Sequence, residues 1–196
     1  PIKSKNGNRM LILTEPIPRE KDGWENCHAC APILGAAMFQ QIDGAWFIEA
    51  LKKDLDVIGA WGELPSNKLV TFGPDMQGIL FNYGSTGQGV SNNGIELVGV
   101  VDGKFRVLLD VHTDFSNEGM FADPKAEPMA FSYSSKLNFA ETEAGKPFQL
   151  TLTRQGSRPI DGYHGEGEVL KFSESLTYRI ENGVYVVQDS VYVLEE

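Results

Sequence analysis

The sequence predicts a mainly β, single-domain fold: an antiparallel β-sandwich, barrel or curved sheet of about ten strands joined by hairpins, with one or two short helices near the N-terminus. Three observations lead there. Asp-Gly or Asn-Gly pairs recur at 43–44, 93–94, 102–103 and 182–183, and such pairs favour the positive φ angles of two-residue hairpin turns. Apolar residues repeat at period two beside several of these pairs, the spacing that gives a strand one apolar face. Glycine (21) and proline (10) are numerous in a chain of 196 residues, as many turns require.

Along the chain, residues 1–26 read as a loosely ordered N-terminal segment. It is polar except for Met10 to Thr14, and Pro16 and Pro18 prevent a regular continuation. The stretch 31–60 supports two readings. One is a helix from Ala31 to Gln41 with Pro32 at its first position, followed by a helical stripe of Phe47, Leu51, Leu55 and Ile58. The other is a strand from Ala36 to Gln41, paired through Asp43-Gly44 with Trp46 to Leu51, which puts Phe39 opposite Ile48. Leu69 to Phe72 and Ile79 to Tyr83 are further strand candidates. Gly84 to Gly89 reads as a flexible turn; it lacks the Gly-Lys-Ser/Thr ending of a phosphate-binding loop.

Asp102-Gly103 is the clearest hairpin. With those residues as the loop, Val100 lies opposite Phe105 and Val98 opposite Val107, and Leu109 and Val111 extend that face. Lys104, Arg106 and Asp110 fall on the other, so one dry and one wet face are expected. Phe131, Tyr133, Leu137 and Phe139 repeat at period two, as do Phe148, Leu150 and Leu152; Val169 to Phe172 is another candidate strand. Asn182-Gly183 then closes a hairpin in which Leu176, Tyr178 and Ile180 share a face with Tyr185 and Val187. No linker or fixed-period repeat divides the chain, so 1–196 is read as one domain.

Charge narrows the function classes. With 27 acidic against 17 basic residues the net charge is −10, which repels nucleic acid and anionic lipid surfaces. No run reaches the roughly 18 apolar residues of a membrane-spanning helix. Neither nucleic-acid binding nor membrane insertion is expected. A small molecule or a protein is the expected partner. The chain begins at Pro1 without a methionine, compatible with a processed mature form or with a trimmed chain. With a cysteine pair suited to an oxidising compartment, this points to export, to a periplasmic or extracellular location.

The only two cysteines stand in Cys27-His28-Ala29-Cys30. That spacing suits a local disulfide that pins the turn, a redox-active pair with Cys27 as the attacking thiolate and Cys30 resolving it, or half of a metal site. The redox reading wants His28 and a helix beginning at Ala31 to depress the first thiol pKa, and it lacks the surrounding βαβ pattern. A zinc site wants a second cysteine pair that the chain does not contain. The disulfide is the expected state.

Two other clusters carry candidate chemistry. Asp110, His112, Asp114 and Glu118 offer cation ligands if the chain loops near Thr113, although an EF-hand would need Gly where Phe115 stands and Glu where Phe121 stands. The alternative is a solvated acidic strand end. The irregular stretch 156–167 follows Arg154 and carries Arg158, Tyr163 and His164, a candidate ligand-binding set in which the two arginines could clamp an anion. Trp24 and Trp61 stand beside glycines and are candidates to line a pocket. No Gly-x-Ser-x-Gly elbow occurs, and no motif calls for a cofactor. The expectation is therefore an exported, non-enzymatic module that binds a small ligand or partner. The alternatives are a thiol-disulfide redox protein acting through Cys27 and Cys30, and a weak calcium-binding module.

Overall fold

Extended segments joined by tight reversals make up almost all of the computed structural model, which describes residues 2–4, 7–15, 19–20, 23–24, 30–159 and 168–195. In chain order the strands are β1 (Ile2–Ser4), β2 (Gly7–Thr14), β3 (Arg19–Glu20), β4 (Gly23–Trp24), β5 (Ile33–Ile42), β6 (Ala45–Val57) and β7 (Ser66–Gly73). They continue with β8 (Met76–Gly87), β9 (Val90–Val101), β10 (Lys104–Ser116), β11 (Ser132–Ala140), β12 (Gln149–Pro159), β13 (Val169–Glu181) and β14 (Val184–Glu195). Three sheets result: β1-β2-β5-β6, the eight-stranded β14-β13-β12-β11-β10-β9-β8-β7, and the small β3-β4 pair. The strand order of each is open-ended, so no barrel closes.

The mainly antiparallel β character is as expected, but no helix is found near the N-terminus among the described residues. Among the described residues the only helical element is a 3-10 turn, Glu118–Met120. Ala31 and Pro32 precede β5 without forming a helix, and the hairpin reading of 31–60 is the one realised, with Phe39 opposite Ile48. The physical reason is burial. Leu34, Ala36 and Met38 enter the core at period two, whereas Phe47 and Leu51 of the helical stripe are exposed. Asp43-Gly44, Asp102-Gly103 and Asn182-Gly183 all turn at positive φ, as their types favour.

Asn93-Gly94 does not turn. It lies inside β9, and the reversal falls at Gln88-Gly89, with φ of 51° and 81°. That placement gives β8, β9 and β10 similar lengths of 12, 12 and 13 residues.

By contact density the chain forms two compact units, Pro1–Tyr83 with Glu96–Leu109, and Gly84–Ile95 with Asp110–Glu196. The three long strands β8, β9 and β10 contribute to both. In the first unit Leu34, Ala36, Met38 and Ala50 of the four-stranded sheet pack against Ile79, Phe81, Val98 and Phe105, with Leu11, Leu13, Val100 and Val107 around them. This is a sandwich core. The expected wet face of the β9–β10 hairpin is only partly wet. Leu97 and Leu108 on that side are fully buried, and a Cβ on Gly99 would stand 2.8 Å from Phe72 and 2.9 Å from Leu108. Apolar residues on both faces bury the middle of β9, while Lys104 and Asp110 stay exposed.

A register shift between Met38 and Phe39 marks a bulge at Glu49 of β6. The Glu49 carboxylate receives Arg9 at 2.7 Å, and the other arm of Arg9 donates to the Asp75 carbonyl at 2.7 Å. A charge pair thereby closes one side of the sandwich.

In the second unit β11 to β14 pair in unbroken antiparallel order, with Leu150, Leu152, Phe172, Tyr178 and Tyr185 buried. Ile180 faces Tyr185 and Tyr178 faces Val187, as the hairpin reading requires. The Tyr185 hydroxyl donates to the Phe148 carbonyl at 2.9 Å, and burial holds its pKa well above the usual tyrosine value.

Two outcomes follow. Gly99→Ala is expected to cost about 1–3 kcal/mol through overpacking, read by chemical denaturation; an unchanged midpoint would contradict the tight packing over Phe72. The Tyr185 phenol stays protonated in the folded chain at a pH where the unfolded chain ionises, so its contribution is complete below about pH 10 and is lost as pH rises further. Tyr185→Phe is therefore expected to flatten the alkaline fall in stability, while costing about 1 kcal/mol at neutral pH through the lost hydrogen bond.

Candidate functional site

In the second unit, register sorts two chemistries onto opposite faces. Ser116 faces Ser132, Ser134 faces Gln155, and Ser157 faces Lys171. Residues directly opposite in an antiparallel pair point the same way, as do residues two apart on a strand. Ser116, Ser132, Ser134, Gln155, Ser157 and Lys171 therefore share one face. The intervening row is Phe115, Tyr133, Gly156 and Phe172, paired in that order across β10 to β13.

The aromatic row is continuous. Phe131 stacks on Phe115 at 5.0 Å, Phe115 on Tyr133 at 6.1 Å, and Tyr133 meets Phe172 edge-on at 5.9 Å. Tyr133 and Phe172 meet across Gly156, which has no side chain to separate them. Its φ is +149°, and a Cβ there would collide with the Ser132 carbonyl and the Tyr133 backbone. Only glycine fits that position. Tyr192 then stacks on Phe172 at 5.8 Å, and the Arg158 guanidinium lies 4.6 Å from the Tyr192 ring centre with its Nε donating to the Tyr192 hydroxyl.

An open groove of about 670 Å³ is lined by residues of both rows, the polar set together with Phe115, Tyr133, Gly156 and Phe172, and by Ser91, Asn93, Asp114 and Glu118. Its carboxylates are engaged. Ser132 Oγ donates to Glu118 at 2.7 Å, and Asp114 accepts from the Ser135 N–H at 3.0 Å and the Thr113 hydroxyl at 2.7 Å. The β10–β11 ladder has two register pairs, Phe115↔Tyr133 and Ser116↔Ser132. Beyond them Asp114 and the Ser135 hydroxyl, which donates to the Thr113 carbonyl, take over the role of ladder bonds. Asn117 clamps the base of the following loop: its amide oxygen accepts from Phe131 N–H at 2.7 Å and its Nδ2 donates to the Met129 carbonyl at 2.9 Å. The groove's rim is thus held by side-chain bonds to the main chain.

The residues singled out from sequence are distributed differently. Asp110 and His112 are exposed along β10, and Asp114 and Glu118 make the bonds just described. Among the described residues no three His, Cys, Asp or Glu side chains are grouped as a metal requires. Arg154 and Arg158 do not form an anion clamp. Arg154 pairs with Glu174 at 2.9 Å and donates to the His112 carbonyl at 2.6 Å, so its guanidinium is structural, while Arg158 lies on the Phe172–Tyr192 platform. Burial raises the pKa of the nearby Tyr178 phenol, with Arg154 opposing and Glu174 adding to the shift.

Tyr163, His164, Cys27, His28 and the side chain of Trp24 lie outside the described residues. Cys30 is half-buried, and its carbonyl accepts from Gly62 N–H at 2.7 Å. No helix follows it to act on a thiol. Trp61 is exposed. The sequence signal for the polar row is the serine half of the alternation Phe131-Ser-Tyr-Ser134, whose aromatic half marks the strand.

No protein-family model matches the chain, and no curated protein or solved structure is significantly similar to it.

Arg154→Ala is expected to destabilise by about 2 kcal/mol, because Glu174 is left largely buried and unpaired. Arg158→Ala, which removes an exposed cation–π contact, is expected to cost under about 1 kcal/mol. Denaturation midpoints of the two variants check this; equal effects would contradict it.

Proposed function

We propose that this chain is an exported, non-enzymatic binding protein that takes a small, neutral, hydroxyl- or amide-bearing ligand in the groove of the second unit. One observation carries the reading: beside Phe115, Tyr133 and Phe172, the groove is lined by serine hydroxyls and the Gln155 amide from neighbouring strands at set register. Hydroxyls and amides both donate and accept, so they match a ligand of the same character better than an ion. Asp114 and Glu118 already accept hydrogen bonds from the protein itself, which leaves Lys171 as the one cation among the described residues lining the groove. The volume lies within the range of roughly 300–1,000 Å³ typical of small-molecule sites.

The non-enzymatic part rests on the serine chemistry. An acyl-transfer serine relies on a base such as imidazole. Ser132 instead donates to Glu118, and Ser157 Oγ is 3.2 Å from the main-chain nitrogen of Ser132. Export enters through the cysteine pair and its preference for an oxidising compartment.

The test is an amide-resolved NMR titration with neutral disaccharides and with short neutral amides. Saturable shifts centred on Ser132 to Ser134 and Gln155 to Ser157 are expected, with affinity falling about 3- to 10-fold in Gln155→Leu for one lost hydrogen bond. Millimolar additions that leave those amides unmoved would overturn the reading.

A further inference from the structure

A separate observation, in the first unit, concerns the turn Ala60-Trp61-Gly62-Glu63. Ala60 N–H donates to the Glu63 carbonyl at 3.2 Å, and Glu63 N–H to the Ala60 carbonyl at 2.9 Å. Trp61 and Gly62 are therefore the loop of a two-residue hairpin, with φ of 57° and 75°. Four other reversals among the described residues have the same form. Their φ values are 49° and 83° at Asp43-Gly44, 51° and 81° at Gln88-Gly89, 52° and 70° at Asp102-Gly103, and 52° and 82° at Asn182-Gly183. Asp and Asn tolerate the left-handed region at the first loop position, whereas a bulky side chain there is strained. Trp61 is the one aromatic among the five. Nor is its ring withdrawn into the core in return, since Trp61 stays 54 % exposed. The turn is held on three sides. A Cβ on Gly59, at φ +117°, would collide with the Glu63 carbonyl; Gly62 N–H donates to the Cys30 carbonyl at 2.7 Å, and Leu64 N–H to Glu15 Oε2 at 3.2 Å. A fixed backbone thus presents an indole to solvent.

We infer that Trp61 is a recognition residue for an organic cation, an ammonium or guanidinium group that lies against the indole with carboxylates beside it. Residues held in sparsely populated backbone conformations cluster at ligand sites, and indole is the best aromatic surface for a cation. The charges that the turn itself carries or binds are both acidic. Glu63 closes the hairpin and is exposed, and Glu15, also exposed, is tied to Leu64 N–H. Lys52 is paired with Asp54 at 3.2 Å, and Lys53 and Lys68 stand further off, on β6 and β7. Two carboxylates add attraction for positive charge and disfavour an anion or an anionic lipid surface. The net charge of −10 draws cations toward the chain in the same sense.

The test is an NMR titration of the full chain with Nα-acetyl-lysine methylamide and with its neutral Nε-acetylated form, at constant ionic strength, on wild type, Trp61→Asn and Glu63→Gln. In wild type the charged probe is expected to give saturable shifts of the Trp61 indole N–H and of the Gly62 and Glu63 amides. Affinity should fall about 2- to 5-fold in Glu63→Gln, and the amide shifts should vanish in Trp61→Asn. Trp61→Asn is also expected to raise the denaturation midpoint, because Asn suits the turn. A lowered midpoint would make the ring a packing group and overturn the inference. So would equal shifts from the neutral probe, shifts centred on the exposed Trp46 instead, or a charged probe that leaves the turn unmoved. Tetramethylammonium and tri-lysine, run in parallel, distinguish a free organic cation from a basic peptide by which binds more tightly; binding by neither overturns the inference.

Discussion

The main-chain register of the antiparallel ladders is the constraint from which the remaining features follow. Side chains alternate strictly along a strand, so a slip of one residue exchanges everything on one face for everything on the other. On β10 to β13 such a slip would exchange the row of Phe115, Tyr133 and Phe172 with the row of serines. On β2, β5 and β6 it would expose Leu11, Met38 and Ala50 and bury Ile12, Phe39 and Ile48. Two-residue turns at positive φ at the ends of β5, β9 and β13 hold the count. The long apolar rows between them make any other count costly, because each fully buried side chain of this size contributes about 1.5–3 kcal/mol.

Where the ladder departs from regularity, a particular side chain is re-aimed. The bulge in β6 delivers Glu49 to Arg9. Gly156 allows two rings to meet over the backbone. At the opening between β10 and β11, Asp114, Ser135 and Arg154 supply the hydrogen bonds that the diverging strands no longer supply, the last by reaching the His112 carbonyl. Irregularity of this kind is common beside binding sites, since it frees a strand to curve without leaving polar groups bare.

Local signals made much of this legible in the sequence. The pairs Phe39↔Ile48 and Ile180↔Tyr185 follow from a turn dipeptide plus alternation, both of which span only a few residues. Asn93-Gly94 shows the limit. The dipeptide permits a reversal but does not compel one, and the longer pairing of β8 with β9 moved it to Gln88-Gly89. The groove was not legible because its lining comes from positions as far apart as Ser91 and Lys171, and no local pattern encodes which strands become neighbours. The partners of Arg154 were hidden for the same reason. Glu174 and His112 lie 20 and 42 residues away, so the arginine that looked available for a ligand is a strut.

The most direct test of the register is the cross-strand pattern of proton–proton contacts through the row Phe115–Tyr133–Gly156–Phe172. Short backbone contacts should join Tyr133 to Gly156 and Gly156 to Phe172, with the rings of Tyr133 and Phe172 in mutual contact above the glycine. Contacts displaced by one residue, joining Ser134 to Gly156 or Gly156 to Lys171, would put the serine hydroxyls on the wrong face and contradict the account.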